Sequence, residues 1–167
     1  MSKILIAYYS RAGENYFGGS MKFVDKGNTE YAAEIIARLT GGELFKIEQK
    51  TPYSDNYNEC IKQAKSDQKN NLRPELVKYP DSIAEYDTIY LGYPNYWGTL
   101  PMAVFTFLER YDFSGKVIRP FCTHEGSGLG GSIGDICAAA PNAAVERGIA
   151  IRGSDAPGSE KALKQWI

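Results

Sequence analysis

The chain has 167 residues, 43% of them hydrophobic, and its 19 Lys and Arg nearly balance its 20 Asp and Glu for a net charge of −1. That length suits one domain, residues 1–167, able to bury a core without staples. The charge provides no electrostatic footprint for a nucleic-acid partner, and no apolar run approaches the roughly 18 residues of a membrane span. Met1-Ser2-Lys3 leads directly into Ile-Leu-Ile-Ala and is expected to open a first strand, not a signal peptide. Cys60, Cys122 and Cys137 are odd in number and lack CxxC spacing. This excludes a disulfide framework or a zinc site and predicts reduced, mostly buried thiols in a cytoplasmic protein.

Lys3–Tyr9 is a short apolar run of the kind that forms a buried parallel strand. Residues 13–26 then belong neither to that strand nor to the helix that follows. Asn28–Thr40 places Ala32, Ala33, Ile35, Ile36 and Leu39 on one helical face and stops at Gly41-Gly42. Glu43–Glu48 predicts a second strand, Thr51–Asn56 a loop and Tyr57–Asn71 a polar helix. Asp87–Tyr93 predicts the third strand. Pro101 suits a first helical turn that Met102–Tyr111 continues. Lys116–Thr123 is the fourth strand, Ile133–Ala140 a helix, Gly148–Arg152 a fifth strand and Ser159–Ile167 a last helix. Five strands alternating with helices predict an α/β domain with a parallel sheet and right-handed crossovers. Ligands of such sheets bind beyond the carboxyl ends of the strands, so the loops after strands one, three and four matter most.

After strand one, Ser10 is followed at a helix start by Asn28 and Thr29, where unpaired amides and the helix dipole suit a phosphate. A plain helix cap and turn is the competing reading. After strand three, Tyr96 and Trp97 stand together on a loop, where aromatics are costly unless a planar ligand stacks on them; folding back onto the core is the alternative. After strand four, residues 123–132 (THEGSGLGGS) carry enough glycine for backbone amides to approach a ligand closely, or form only a flexible loop.

Three motifs in this last segment mislead. Gly126, Gly128 and Gly131 spell a dinucleotide GxGxxG, but after the fourth strand, with Glu146 ahead of the fifth. Gly130 to Gly134 spell the hydrolase GxSxG, but Ser132 lies far past the strand end and the sole histidine, His124, precedes it. Ser132 with Asp135 instead suggests a helix capping box. The position six residues after each cysteine holds Ser66, Gly128 or Ala143, so no phosphatase arginine is present.

Ser-x-x…Gly-Asn-Thr, Pro-Asn-Tyr-Trp-Gly-Thr-Leu-Pro and Thr-His-Glu-Gly-Ser-Gly, after strands one, three and four, together resemble the FMN site of the flavodoxin-like family. The resemblance spans nearly the whole chain. It implies a three-layer, doubly wound, five-stranded parallel sheet of order 2-1-3-4-5. It also implies that Ser10, Arg11, Ala12, Asn28 and Thr29 hold the FMN phosphate. Pro94, Asn95, Tyr96, Trp97 and Gly98 would line the isoalloxazine, with an aromatic stacked on it. Thr123, His124, Glu125, Gly126, Ser127 and Gly128 would meet its polar edge, with Glu125 disfavouring an anionic reduced flavin. His124 could protonate an acceptor or simply hydrogen-bond the flavin or its own loop.

Residues 13–26 depart from the family by interrupting its compact phosphate loop. Their apolar Tyr16, Phe17, Met21, Phe23 and Val24 predict that they pack, either on the domain's own surface or as a lid beside the flavin. The near-neutral charge also departs from acidic electron shuttles. The expected function is electron transfer to a redox partner protein, or NAD(P)H-dependent reduction of a small acceptor such as a quinone. The alternative is a non-redox binding module that keeps the fold without flavin.

Overall fold

Alternation along strand β1 (Lys3–Tyr8) sends Leu5 and Ala7 to one side of a sheet and Ile6 and Tyr8 to the other, all buried. The computed structural model describes residues 3–167, apart from the side chain of Phe17, so the expectation for Met1 and Ser2 lies outside the described residues. Residues 13–26 form an antiparallel hairpin, β2 (Gly13–Phe17) and β3 (Ser20–Val24). Helix α1 (Asn28–Thr40) follows with the bounds the sequence predicts, ending at Gly41 in the left-handed region, whose N–H returns to the Ala37 carbonyl. Then come β4 (Glu43–Lys46), α2 (Tyr57–Lys69), β5 (Tyr86–Pro94), α3 (Met102–Arg110), β6 (Val117–His124) and α4 (Ser132–Ala139). The chain closes with β7 (Ala144–Val145), β8 (Ile149–Arg152), a 3-10 turn (Gly153–Gly158) and α5 (Glu160–Trp166).

The sheet runs β4-β1-β5-β6-β7, and β8 also pairs β6, every pairing parallel. This is the expected 2-1-3-4-5 order, with the fifth position split: Val117 and Ile118 face β7, whereas Phe121–His124 face β8. Helices α3 and α4 bury Val104, Phe107, Leu108 and Ile136 against Leu5, Ala7, Ile89, Leu91 and Tyr93. On the opposite face α1 and α5 bury Ala32, Ala33, Ile36 and Leu163 against Ile6, Tyr8, Tyr90 and Phe121. The result is three layers, helix–sheet–helix. Pro101 is the N-cap of α3, one residue outside the helical turn expected of it.

Residues 13–26, which belong to neither β1 nor α1, form this hairpin as a unit of their own, an element the sequence reading did not assign. Gly18 and Gly19 both have positive φ, 64° and 86°, the pair of values that a two-residue turn requires to match strand twist. Among its described apolar side chains, Val24 is half-buried and Tyr16 packs. Tyr16 meets the Tyr57 ring edge-on at 4.9 Å, but Met21 and Phe23 are 40% and 70% exposed.

Gly92, near the carboxyl end of β5, has no side chain because the buried Phe121 ring crosses it. A Cβ there would stand 2.2 Å from the Phe121 ring. Gly92→Ala should therefore overpack this face and cost about 1–3 kcal/mol of stability. Urea unfolding measures this, and an unchanged midpoint would show that the ring is free to move.

Candidate functional site

The loops after β1, β5 and β6 meet at the carboxyl end of the sheet around a cavity of about 310 Å3, within the range of small-molecule sites. At the first loop, Gly27 is the N-cap of α1 and supplies no side chain. A Cβ on it would lie 2.3 Å from Ser10 Oγ and 2.6 Å from the Arg11 carbonyl, so only glycine lets the two chain segments close. Ser10 Oγ in turn accepts the Glu30 N–H at 3.1 Å. The two halves of the interrupted turn thus meet as one unit. Neither Asn28 nor Thr29 caps the helix, as a plain cap would require. Instead, the Thr29 hydroxyl bonds that of Thr123 at 2.7 Å, and Asn28 Oδ1 is buried without a partner.

Arg11 has a different set of contacts from those of an open phosphate ligand. Its guanidinium donates to the carbonyls of Glu14, Ser54 and Asp55 and to Asn15 Oδ1. It thereby clamps the base of the hairpin to the loop ahead of α2. Glu14 adds to the clamp by accepting the Tyr57 N–H of α2 at 3.0 Å.

The second and third loops are stitched together. Asn95 accepts the Gly98 N–H at 2.9 Å and donates to the Gly128 carbonyl at 2.8 Å. Gly131 donates to the Gly98 carbonyl at 2.8 Å, where Gly130 packs so closely that a Cβ would lie 2.3 Å from that oxygen. The two loop aromatics diverge. Tyr96 turns inward, edge-on to Tyr9 at 5.7 Å, whereas Trp97 is 47% exposed at the cavity mouth. The capping box expected at Ser132 does not form. Ser132 is the first residue of α4, fully buried, bonded to the Tyr93 hydroxyl and the Leu129 carbonyl, while Asp135 accepts from Thr99.

His124 Nδ1 accepts the Gly126 N–H at 2.9 Å, which leaves Nε2 to carry the proton of the neutral ring. Burial, aided by the Arg152 charge, holds its pKa below the ordinary value. Burial raises the Glu125 carboxyl; Arg152 opposes this and Asp155 adds to it. Cys122, behind the loop, is pushed up to about 12 by burial and is an inert thiol.

Of the residues expected at the site, Arg11, Asn28, Pro94, Asn95, Tyr96, Trp97, Gly98, Thr123, His124, Glu125 and Ser127 line the cavity. Ser10, Thr29, Gly126 and Gly128 stand behind it as supports, and Ala12 is exposed outside it. Sequence reasoning missed Asn15 and Tyr16 of the hairpin, and Tyr57, Cys60, Ile61 and Ala64 of α2. The α2 set recurs at i, i+3, i+4 and i+7, a helical stripe visible in the sequence but masked by the polarity of its neighbours. Gly153 was missed too: a Cβ there would meet Asn28 Nδ2 at 2.4 Å and Glu125 Oε1 at 2.6 Å.

A doubly wound sheet whose first, third and fourth loops enclose one cavity defines the flavodoxin-like class of fold. The family model described as Flavodoxin matches residues 3–167, and the chain belongs to that family. It is similar to a protein assigned as a flavoprotein from Bacteroides eggerthii, at 28% identity over 99% of this chain and 96% of the other, with a TM-score of 0.80. A second such protein, from Bacteroides uniformis, is 27% identical over 99% and 97%, with a TM-score of 0.77. A Lactobacillus acidophilus flavoprotein solved in complex with FMN shares the fold at 21% identity over 93% and 96%, with a TM-score of 0.64. No curated protein matches the sequence.

The state of His124 has a measurable consequence. In the unfolded chain the imidazole takes up a proton near its ordinary value of about 6.5, whereas the folded site resists it. Stability therefore includes a contribution present above that pH and lost as pH falls through the lower folded value. The stability of wild type relative to His124→Gln should be greater at pH 7.5 than at pH 5, by urea unfolding; a pH-independent difference would contradict the assignment.

Proposed function

We propose that the protein binds FMN in this cavity and works as a redox flavoprotein. The observation that carries the reading is the convergence of the α1 N-terminus and the two stitched loops on one cavity lined by Asn28, whose Oδ1 is buried without a partner among the described residues. The residues present fit the group. The phosphate has the N-terminus of α1 and its dipole, at the point where Gly27 lets the chain close against Ser10 and Arg11. Asn28 Oδ1 accepts a hydroxyl or N–H, and neutral His124 offers Nε2–H to a flavin oxygen or nitrogen. When bound, FMN supplies the electron chemistry; the protein supplies orientation, hydrogen bonds and local charge.

Residues 1–167 act as one domain in this reading, and the free thiols of Cys60, Cys122 and Cys137 suit a reducing cytoplasm. Among the described residues no helix is long and apolar enough to cross a membrane. Partners divide between a redox protein and NAD(P)H with a small acceptor such as a quinone. The near-neutral charge and the exposed Tyr16 and Trp97 lining the cavity favour the small acceptor, because they lack the charged surface that docks a basic protein.

The protein should bind FMN stoichiometrically, turning yellow and quenching added FMN fluorescence. The loaded protein should then oxidise NADH or NADPH faster with a quinone present. A protein that ignores FMN is instead a non-redox module. One that binds FMN and is reduced chemically but not by either nucleotide is a carrier. Glu125 also lines the cavity, so Glu125→Gln should raise the reduction potential of the bound flavin; an unchanged potential would place that carboxylate too far from the ring to matter.

A further inference from the structure

Two residues other than glycine, Asn71 and Trp97, adopt left-handed backbone among the described residues, each with φ of 52°. Asparagine tolerates that region, but a bulky aromatic there is strained. Such strain persists only where the surroundings over-determine it. Around Trp97 they do. The indole Nε1–H donates to the Ile61 carbonyl at 2.8 Å, and Gln68 Nε2 donates to the Trp97 carbonyl at 3.3 Å. Lys65 Nζ sits over the indole, 4.4 Å from its centroid. Ile61, Lys65 and Gln68 follow at i, i+4 and i+7, one stripe of α2. On the other side of the loop, Asn95 holds the Gly98 N–H.

Burial does not account for this arrangement, because Trp97 is 47% exposed. Trp97 is a lining residue of the cavity, and Lys65 is not. A cation is drawn to one ring face by the quadrupole and fixes the tilt of the ring, leaving the other face to stack on a planar partner. The Ile61 carbonyl has a second lone pair for the indole, so α2 loses no helical bond by holding it.

We propose that this stripe of α2 is a splint, and that Lys65 and Gln68 are positioning residues which hold the Trp97 indole ready to stack on the flat ring bound in the cavity. The inference rests on the flavin reading for the identity of that ring, and on the contacts of Trp97 with α2 for the splint itself.

Lys65→Met and Lys65→Arg separate the two parts, and Lys65 is exposed, so neither variant threatens the fold. In the protein without flavin, the Trp97 indole N–H is followed by NMR and told from that of Trp166 with a Trp97→Phe control. Its solvent exchange should quicken about three-fold in Lys65→Met, the effect of losing a cation–π contact at an exposed site, and return in Lys65→Arg. With FMN, Lys65→Met should raise the Kd about three-fold and restore part of the quenched fluorescence of the bound flavin, again rescued by arginine. Unchanged exchange in Lys65→Met overturns the splint. Changed exchange with unaltered FMN affinity and fluorescence overturns the stacking role. If wild type shows the indole effect yet binds no FMN, the flavin reading fails, and the stacking role with it, while the splint stands.

Discussion

The hydrogen bond between the hydroxyls of Thr29 and Thr123, 2.7 Å long and fully buried, ties the first turn of α1 to the end of β6. Everything at the carboxyl end of the sheet is arranged around that junction. It fixes where the helix dipole points relative to the loop after β6, across 94 residues of sequence. A buried hydroxyl pair is costly to separate because each member would lose its partner away from water. From this anchor the Asn95 clasp continues the construction, joining the loop after β5 to the loop after β6 through one side chain. The cavity is thus shaped by contacts between loops, on a sheet whose strand ends are already held in register.

The hairpin follows a different logic. It leaves the chain where a compact turn would otherwise pass from β1 to α1, and Gly27 lets the chain return against Ser10 and Arg11. A longer excursion costs little extra in closure entropy once its ends are fixed. Arg11 and Glu14 then fasten its base to the start of α2. Through this fastening the insert and α2 become two parts of one wall. Tyr16 and Tyr57 meet edge-on within it, and Trp97 closes it from the β5 side. The wall is the part of the site that depends least on the sheet and most on this chain's own sequence.

That division explains what the sequence made legible. Strands β1, β5 and β6 and helix α1 announce themselves because burial on both sheet faces, or on one helical face, imposes a local period. The three loops could be placed because the strand ends determine where loops matter. The hairpin was missed although Gly18-Gly19 is a turn signal, because its Met21 and Phe23 face solvent and the segment shows no core-facing alternation. The clamp by Arg11 and the direction of Trp97 were not legible at all. Both depend on carbonyl groups of distant residues, Ser54, Asp55 and Ile61, and a carbonyl carries no mark in sequence. The same holds for Ser132, where local spacing suggested a cap and the Tyr93 hydroxyl claimed the side chain instead.

The central claim is that FMN occupies the cavity at the junction of α1, the stitched loops and α2. Amide NMR spectra recorded with and without FMN test it most directly. The account predicts shifts concentrated at Asn28, Thr29, Asn95 to Gly98 and Thr123 to Ser127, extending to Tyr57 and Ile61 of α2. Unperturbed spectra at saturating FMN, or shifts confined to the opposite end of the sheet around Arg119 and Trp166, would contradict it.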